Sequence, residues 1–441
     1  MSQLNNLLEG APEKDRADEL RNMRKKFFLP FGRGRVYLNA NSLGPPVKKA
    51  IWYVVCYFYH WIRHQVKGHF EPMKGVTKNP KGFAYFRDMF REPAYKIMGA
   101  EKEAEVALVA EMTTTMNSVV AHVLRVQYYA GRRDVFFDEA SAFPSDDLVV
   151  KEQVRIFNKY HAKANDPLRL VPITHNDDGL SINHEKALRQ IHESGGNLAA
   201  WISGNGGAGY KSGQILDLSR IGPAVRSVGG TTIINLAHAL GATPLFLKDW
   251  GIGYAITCSY KLLSGGAGGP SLLYINSEED VSDLGLVGWF SLEDPIAALQ
   301  GKRTKIKENA QRSEASNPNV LGGLPFLAAL RLFVKNMPAI FRKAKKLNNY
   351  FFECWDAFQK GYGTPLKLIT PRQQSGIELM FTLHDADEAK IKKLEQFLLK
   401  KGLTVDVRDQ LYVRVGMFPP FTRYRDIARL FKLLEEFILL T

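Results

Sequence analysis

The chain has 441 residues, 45% of them hydrophobic and 24% charged, enough for a large core in two or three domains. Its formal charge of +14 would, on a nucleic-acid surface, gather into basic blocks interleaved with aromatics, but the clusters at 341–352 and 390–401 have the spacing of solvated helix faces. Three cysteines, Cys56, Cys258 and Cys354, stand far apart without metal-ligand spacing, which argues against a disulfide or zinc scaffold and for a reducing, cytoplasmic setting.

The N-terminal stretch MSQLNNLLEGAPEKDRADELR has no apolar signal core, and the most apolar run, 51–62, is well short of the roughly 20 residues of a membrane span. A buried helix is expected there, and neither a membrane nor a nucleic acid is expected as partner. Before it, DRADELRNMRKKFF reads as an amphipathic helix stopped at Pro30, followed by a short strand at 36–38 and a turn-rich loop whose Pro45 and Pro46 open the helix at 47–66. His69, in the Gly-His-Phe that follows, reads from its own context as a structural loop histidine.

From about Arg87 strands and helices alternate, the pattern of a parallel sheet with crossovers. Strands are expected at 105–110, 134–137, 168–171, 199–202, 231–234, 255–258 and 272–275, with helices at 183–191 and 218–228. The three threonines Thr113, Thr114 and Thr115 open an apolar helix, where hydroxyls and free amides suit either an anion or a simple cap. Phe143-Pro144-Ser145-Asp146 past a strand end fits a ring cover with a carboxylate, or an Asx-capped turn. GNGGAG at 204–209 is followed by a turn rather than a helix, which discounts a Rossmann cofactor.

Ligands of α/β sheets sit outside the carboxyl ends of strands. Two β-branched runs end in such polar residues, Asn235 and His238 after the first, Ser259, Tyr260 and Lys261 after the second, and GGAGG at 265–269 allows close backbone approach. A lysine so placed suits an enzyme that holds an aldehyde cofactor as a Schiff base. Beyond 275 the alternation ends. A long helix is expected at 324–359 with a break at Pro338, then strands at 377–383, 403–406 and 412–416 and helices at 386–401 and 424–440, a separate α+β unit.

NSLG at 41–44, GH at 68–69, FPSD at 143–146, NLAHA at 235–239, DWG at 249–251, CSYKLL at 258–263 with GGAGG, GWF at 288–290, SNP at 316–318 and VRV at 413–415 follow one another in the order found in kynureninases, which this chain resembles over roughly 37–420. The resemblance implies pyridoxal 5′-phosphate (PLP) fold type I, with a large domain at 67–303 built on a mostly parallel seven-stranded sheet flanked by helices. It also implies a small α+β domain from 304–441, to which the N-terminal segment 1–66 contributes. It implies a homodimer that hydrolyses L-kynurenine or 3-hydroxykynurenine to an anthranilate and L-alanine, in tryptophan catabolism and NAD biosynthesis.

Position by position, the resemblance gives Lys261 the cofactor aldehyde, and gives Tyr260 its phosphate and a part in proton transfer. Met112, Thr113 and Ser145 would hold phosphate, Phe143 would stack on the ring, Asp146 would face its nitrogen with Asn235 and His238 in the same cluster, and Trp289 would reach the phosphate region. His69, Ser316, Asn317 and Ser42 would line the substrate, and Arg414 would clamp its α-carboxylate, a role that a guanidinium fork suits. No metal is implied. Four departures stand out, one of them the insertion-like GNGGAG before YKSGQ. Asn235 replaces the expected aspartate, which leaves a one-carboxylate enzyme, a changed reaction or a cofactor-binding paralogue without activity as readings. Asp147 follows FPSD, and Glu314 replaces the expected arginine, bringing charge near the substrate loop. A cysteine desulfurase would fit the lysine and the sheet but not GWF or SNP.

Overall fold

The computed structural model describes residues 2–29, 34–76, 82–203 and 210–440; GNGGAG and Pro30 lie outside them. Helix α1 (Ser2–Ala17) is followed by a 3₁₀ turn, strand β1 (Val36–Tyr37), α2 (Lys48–His64) and α3 (Asp88–Met98). Then come β2 (Val106–Val109), α4 (Met112–Tyr129), β3 (Asp134–Phe137), α5 (Pro144–Tyr160), β4 (Arg169–Pro172), α6 (His184–Ser194), β5 (Leu198–Ser203), α7 (Leu218–Ser227), β6 (Thr231–Asn235), β7 (Tyr254–Cys258) and β8 (Ser271–Ile275). The remainder is α8 (Pro295–Leu299), α9 (Val320–Tyr362), β9 (Leu366–Leu368), β10 (Glu378–Leu383), α10 (Glu388–Lys400), β11 (Leu403–Thr404), β12 (Asp406–Arg408), β13 (Tyr412–Gly416) and α11 (Tyr424–Leu440).

The first sheet has seven strands in the order β2-β8-β7-β6-β5-β3-β4, and only β8 runs against its neighbours. This is the expected mostly parallel sheet. Strands β5 to β8 are buried at every position, as expected of sheets covered on both faces. Helices α4 and α5 lie on one face over a core that includes Val119, Val120, Ile202 and Ile233. The other face shares a larger core with α9, α11 and the second sheet, which has the order β12-β13-β10-β9. Strand β1 pairs with β11, and α1 packs on α9 and α11, so the N-terminal segment lies against the C-terminal elements.

Several expectations need correction. The first helix covers 2–17 rather than 15–28, because Asp18 leaves the helix to accept the Leu20 amide at 2.9 Å and to pair with Lys343 at 2.6 Å. Lys343 is therefore buried rather than part of a solvated face. Helix α9 runs unbroken for 43 residues through Pro338, with buried Phe333 and Ile340 on either side packing it in place. It is long and apolar enough to span a membrane by length and composition alone, and it packs on α1, α2, α3 and α11.

The third correction concerns the run 51–62. Tyr53, Cys56 and His60 face inward, while Ile51, Trp52, Val55, Phe58, Tyr59, Trp61 and Ile62 are exposed, so α2 is buried on one face only. Strand β9, absent from the sequence reading, closes the second sheet, and the strand expected at 403–406 is two short strands in different sheets.

Candidate active site

The carboxyl ends of β3, β5, β6 and β7 point the same way because these strands are mutually parallel. Lys261 follows β7 and His238 follows β6, and Lys261 Nζ lies 2.9 Å from His238 Nε2. The loop that carries Lys261 is held by close approach of backbone. Gly44 donates to the Tyr260 carbonyl at 2.9 Å, and any Cβ at Gly44 would collide with the Lys261 carbonyl oxygen. In the GGAGG turn, Gly265 donates to the Ser259 carbonyl at 2.8 Å, the close contact expected there.

Burial lowers the proton affinity of Lys261, which raises its neutral, nucleophilic fraction. His238 is pushed down to about 4, chiefly by burial, and is neutral at pH 7. Its Nδ1 lies 2.7 Å from Glu378 Oε2 at the start of β10, a carboxylate held below its usual range because His238 and Arg414 outweigh its burial. Tyr260 is pushed up to about 12, first by burial, and its ring lies 5.7 Å from the Lys261 amine.

Asp146, in the first turn of α5, is buried, and desolvation raises it to about 6 against a hydrogen bond from Asn235 and the charge of Lys261. Asn235 Nδ2 donates to Asp146 Oδ2 at 2.6 Å, while Asn235 Oδ1 accepts the Ala237 amide at 2.9 Å. The amide is thus oriented from both ends. Phe143, just before α5, places its ring 5.8 Å from Lys261 Nζ. Ser145 Oγ meets Thr113 Oγ1 at 3.2 Å, which joins the N-terminal ends of α4 and α5. Met112 opens α4, but the cap is Glu111 rather than a threonine. Its carboxylate accepts the amides of Thr113 at 2.8 Å and Thr114 at 2.7 Å, and also the Thr114 hydroxyl. These are amides that an anion at this helix end would use.

The second sheet supplies a basic group with its own carboxylates. Arg414 on β13 is fully buried and sits directly across from Asp406 on β12, with which it pairs. It also donates to Ser42 Oγ at 3.1 Å and to the Tyr210 carbonyl at 3.1 Å, and its Nη1 lies 3.3 Å from Glu378 Oε1. Arg414 Nε has no hydrogen-bond partner among the described residues. Arg408 pairs with Asp406 at 2.6 Å and donates to the Tyr210 hydroxyl at 3.0 Å. Tyr210 ties the two sheets together, its ring edge-on to Phe143 and to His238.

The structure therefore brings together Lys261, Tyr260, His238, Asn235, Asp146, Phe143, Ser145 and Thr113 at the first sheet, and Ser42 and Arg414 at the second. It does not bring His69, Trp289, Ser316 or Asn317 into that cluster. His69 packs near Phe83, Trp289 lies 4.1 Å from the Phe290 ring, and Ser316 and Asn317 are exposed. Glu314 is also elsewhere. It is buried, takes both arms of Arg91 (2.6 Å from Nη2) and accepts the Leu108 amide at 3.0 Å, so its charge is neutralised inside the core and does not reach a substrate loop.

Sequence reasoning missed Glu378, Asp406, Arg408 and Tyr210. The alternation around Glu378 and Arg414 marks their strands, but only the register makes these residues neighbours.

These residues fit a phosphorylated aldehyde cofactor. There is a buried amine of lowered basicity, an aromatic ring beside it and a raised carboxylate, and hydroxyls stand at two helix ends. Arg414 Nε in β13 and Ser203 Oγ at the end of β5 have no hydrogen-bond partner among the described residues. Residues 340–434 match the model of the kynureninase C-terminal domain. The chain is 27% identical to the kynureninase of Christiangramia forsetii over 99% of both chains, and 28% identical to that of Flavobacterium psychrophilum over 98% of this chain and 99% of the relative. Among solved structures, a cysteine desulfurase from Thermococcus onnurineus NA1 superposes with a TM-score of 0.70 at 16% identity, covering 95% of this chain and 98% of its own. Over nearly its whole length this chain is similar to the kynureninases, and it has the fold of PLP enzymes of fold type I.

Proposed function

We propose that the chain is a PLP-dependent hydrolase that cleaves the β–γ carbon bond of L-kynurenine or its 3-hydroxy form, releasing an anthranilate and L-alanine. The observation that carries this reading is the continuous run of contacts from Lys261 through His238 and Glu378 to Arg414. It links an amine at the end of one sheet to a guanidinium on the other, the two groups that an α-amino acid substrate would engage.

Bound PLP withdraws electrons from the substrate α-carbon and so makes its proton removable. Lys261 is the base for that proton, and its lowered basicity keeps part of it neutral. Thr113, Ser145, Met112 and Tyr260 would hold the phosphate of that cofactor, Phe143 would cover its ring, and Asp146 would supply a carboxylate for the ring nitrogen. Arg414 and Ser42 orient the substrate carboxylate. The N-terminal segment 1–66 and residues 304–441 form the small unit that carries Arg414, against 67–303 with Lys261.

The exposed apolar face of α2 supports a homodimer, because a lone soluble chain rarely leaves so many aromatics in contact with water. The second copy completes the site with His69, Trp289, Ser316 and Asn317, which a single chain keeps apart. The reaction belongs to cytoplasmic tryptophan breakdown toward NAD. A cysteine desulfurase is disfavoured, since all three cysteines are buried and burial raises the thiol of Cys258.

A second reading, a PLP-binding paralogue with reduced or lost activity, is favoured by Asn235, which offers an uncharged amide, and by Glu111 on the helix-end amides. Purified full-length chain incubated with PLP and L-kynurenine should yield anthranilate and alanine in equal amounts. Absence of both products, with PLP demonstrably bound, would leave the paralogue.

A further inference from the structure

Glu378 stands where three elements meet. On β10 it shares a sheet face with Arg414 on β13, one step diagonal in the register, and it reaches across to His238 beyond β6. Its two oxygens divide the work. Oε2 takes the imidazole at 2.7 Å, whereas Oε1 lies 3.3 Å from Arg414 Nη1 without making a hydrogen bond. All three groups are buried. An ionised carboxylate accepts only, so the Nδ1 that faces it carries the imidazole proton. His238 Nε2 is then left with a lone pair, and that lone pair points at Lys261 Nζ, 2.9 Å away.

We propose that Glu378 is the positioning residue of a carboxylate–imidazole–amine relay, holding His238 in the Nδ1–H form so that Nε2 accepts the proton that Lys261 collects during turnover. The inference rests on Lys261 being the reacting amine. In the step, an N–H bond of the Lys261 ammonium breaks, the proton joins Nε2, and the positive charge moves onto the imidazole opposite the Glu378 carboxylate; the reverse step returns it. Lys261 is thereby neutral for as long as the proton rests on His238, without a proton path to water.

The groups that face His238 are Lys261 from the loop after β7, Glu378 from β10, Arg414 from β13 and the Tyr210 ring edge. Arg414 opposes a charged imidazole and also draws on the Glu378 carboxylate. A substrate carboxylate that occupies Arg414 removes that competition and leaves Glu378 to His238. Carboxylate recognition at the second sheet is thus coupled to proton uptake at the first.

The test uses the full chain labelled with ¹⁵N-histidine and loaded with PLP. His238, assigned by the signal lost in His238→Gln, should show a protonated Nδ1 and an unprotonated Nε2 near neutral pH. Glu378→Gln keeps an acceptor for Nδ1 but loses the charge; it should lower kcat about tenfold or more with no rise in KM, and shift the pH profile of kcat. Glu378→Ala should mix the two tautomers, and if that variant fails to fold, the Gln variant carries the test alone. A His238 protonated at Nε2, or a Gln variant with the wild-type kcat and pH profile, overturns the relay. Borohydride reduction of the loaded protein locates the PLP-bearing lysine independently. Attachment elsewhere than Lys261 overturns the underlying reading together with the relay, whereas attachment at Lys261 with an unchanged pH profile overturns the relay alone.

Discussion

Replacing Asn235 by aspartate changes one atom pair at the heart of the site. In the present chain, burying Asp146 raises its pKa from 3.8 to about 6, which at neutral pH costs about 3 kcal/mol relative to the unfolded chain. Asn235 moderates that cost by donating to Asp146 at 2.6 Å. Asn235→Asp removes the donor and sets a second carboxylate against the first. At an effective dielectric of ~20 and a charge separation of ~4 Å, two ionised groups repel by about 4 kcal/mol. The folded variant therefore keeps one proton shared between the two carboxyls when the unfolded chain has lost both.

The sign follows from linkage. A folded state that binds more protons than the unfolded one loses stability as pH rises. Through this carboxyl wild type loses stability between pH 3.8 and about 6, opposed by His238, whose lowered proton affinity adds stability over much of the same range, whereas the carboxyl pair of the variant continues to lose it above that window. Urea unfolding of the cofactor-free protein at about pH 5, 7 and 9 should show the midpoint of Asn235→Asp falling further below that of wild type at each step up in pH. PLP, with a positive ring nitrogen opposite the pair, should then stabilise the variant more than the wild type and speed hydrolysis by about tenfold, or ~1.4 kcal/mol. Equal pH dependence of the two proteins would refute the shared-proton argument. An unchanged rate would mean that Asp146 alone governs the ring nitrogen.

Three further outcomes are expected. Glu111→Ala removes an N-cap, which lowers the unfolding midpoint by an amount equivalent to about 1 kcal/mol, yet frees the Thr113 and Thr114 amides, so spectroscopic titration should show tighter PLP binding. Arg414→Gln leaves Asp406 and Glu378 without their buried cation and should cost about 3 kcal/mol or more of stability by urea unfolding, with Arg414→Lys retaining part of it while the KM for kynurenine rises at least about tenfold. Trp52→Glu combined with Ile62→Glu on the exposed face of α2 should leave the monomer folded by circular dichroism and convert a dimer to monomers by sedimentation; a variant that sediments as wild type would put the interface elsewhere.

What the sequence made legible follows from where chemistry meets chain geometry. Lys261 and His238 each come three residues after a strand end, and a run of buried β-branched residues that stops at a polar cluster marks such an end without any tertiary knowledge. Arg414 was reached through the family likeness, but its partners were not. Glu378 and Asp406 become its neighbours only through the antiparallel register of β10, β12 and β13, which depends on pairings between residues up to 38 positions apart. Tyr210 lies in a turn, where no periodicity marks a packed residue. The first helix was misplaced for a tertiary reason, since the pairing of Asp18 with Lys343 on α9 outweighs local helix propensity. The apolar face of α2 shows a similar limit: hydrophobicity says that a surface is to be covered, but not whether the same chain covers it.

The charges of the site offer a physical reason for Asn235. Around the cluster, Lys261, Arg408 and Arg414 face Asp146, Glu378 and Asp406, while burial keeps His238 neutral. The resting site is therefore close to neutral by itself. A phosphate and a substrate carboxylate add negative charge, and the helix end that would receive the phosphate already holds the Glu111 carboxylate. An aspartate at 235 would add one more buried anion beside Asp146, at the repulsion worked out above. An amide at that position orients Asp146 through its N–H and satisfies the Ala237 amide through its carbonyl, so the geometry of the missing carboxylate is retained and its charge is not. The cost falls on the ring nitrogen, which then depends on Asp146 alone. Because Asp146 titrates near pH 6, its ionised form predominates only above that value, and cofactor-dependent activity should accordingly rise with pH through this range.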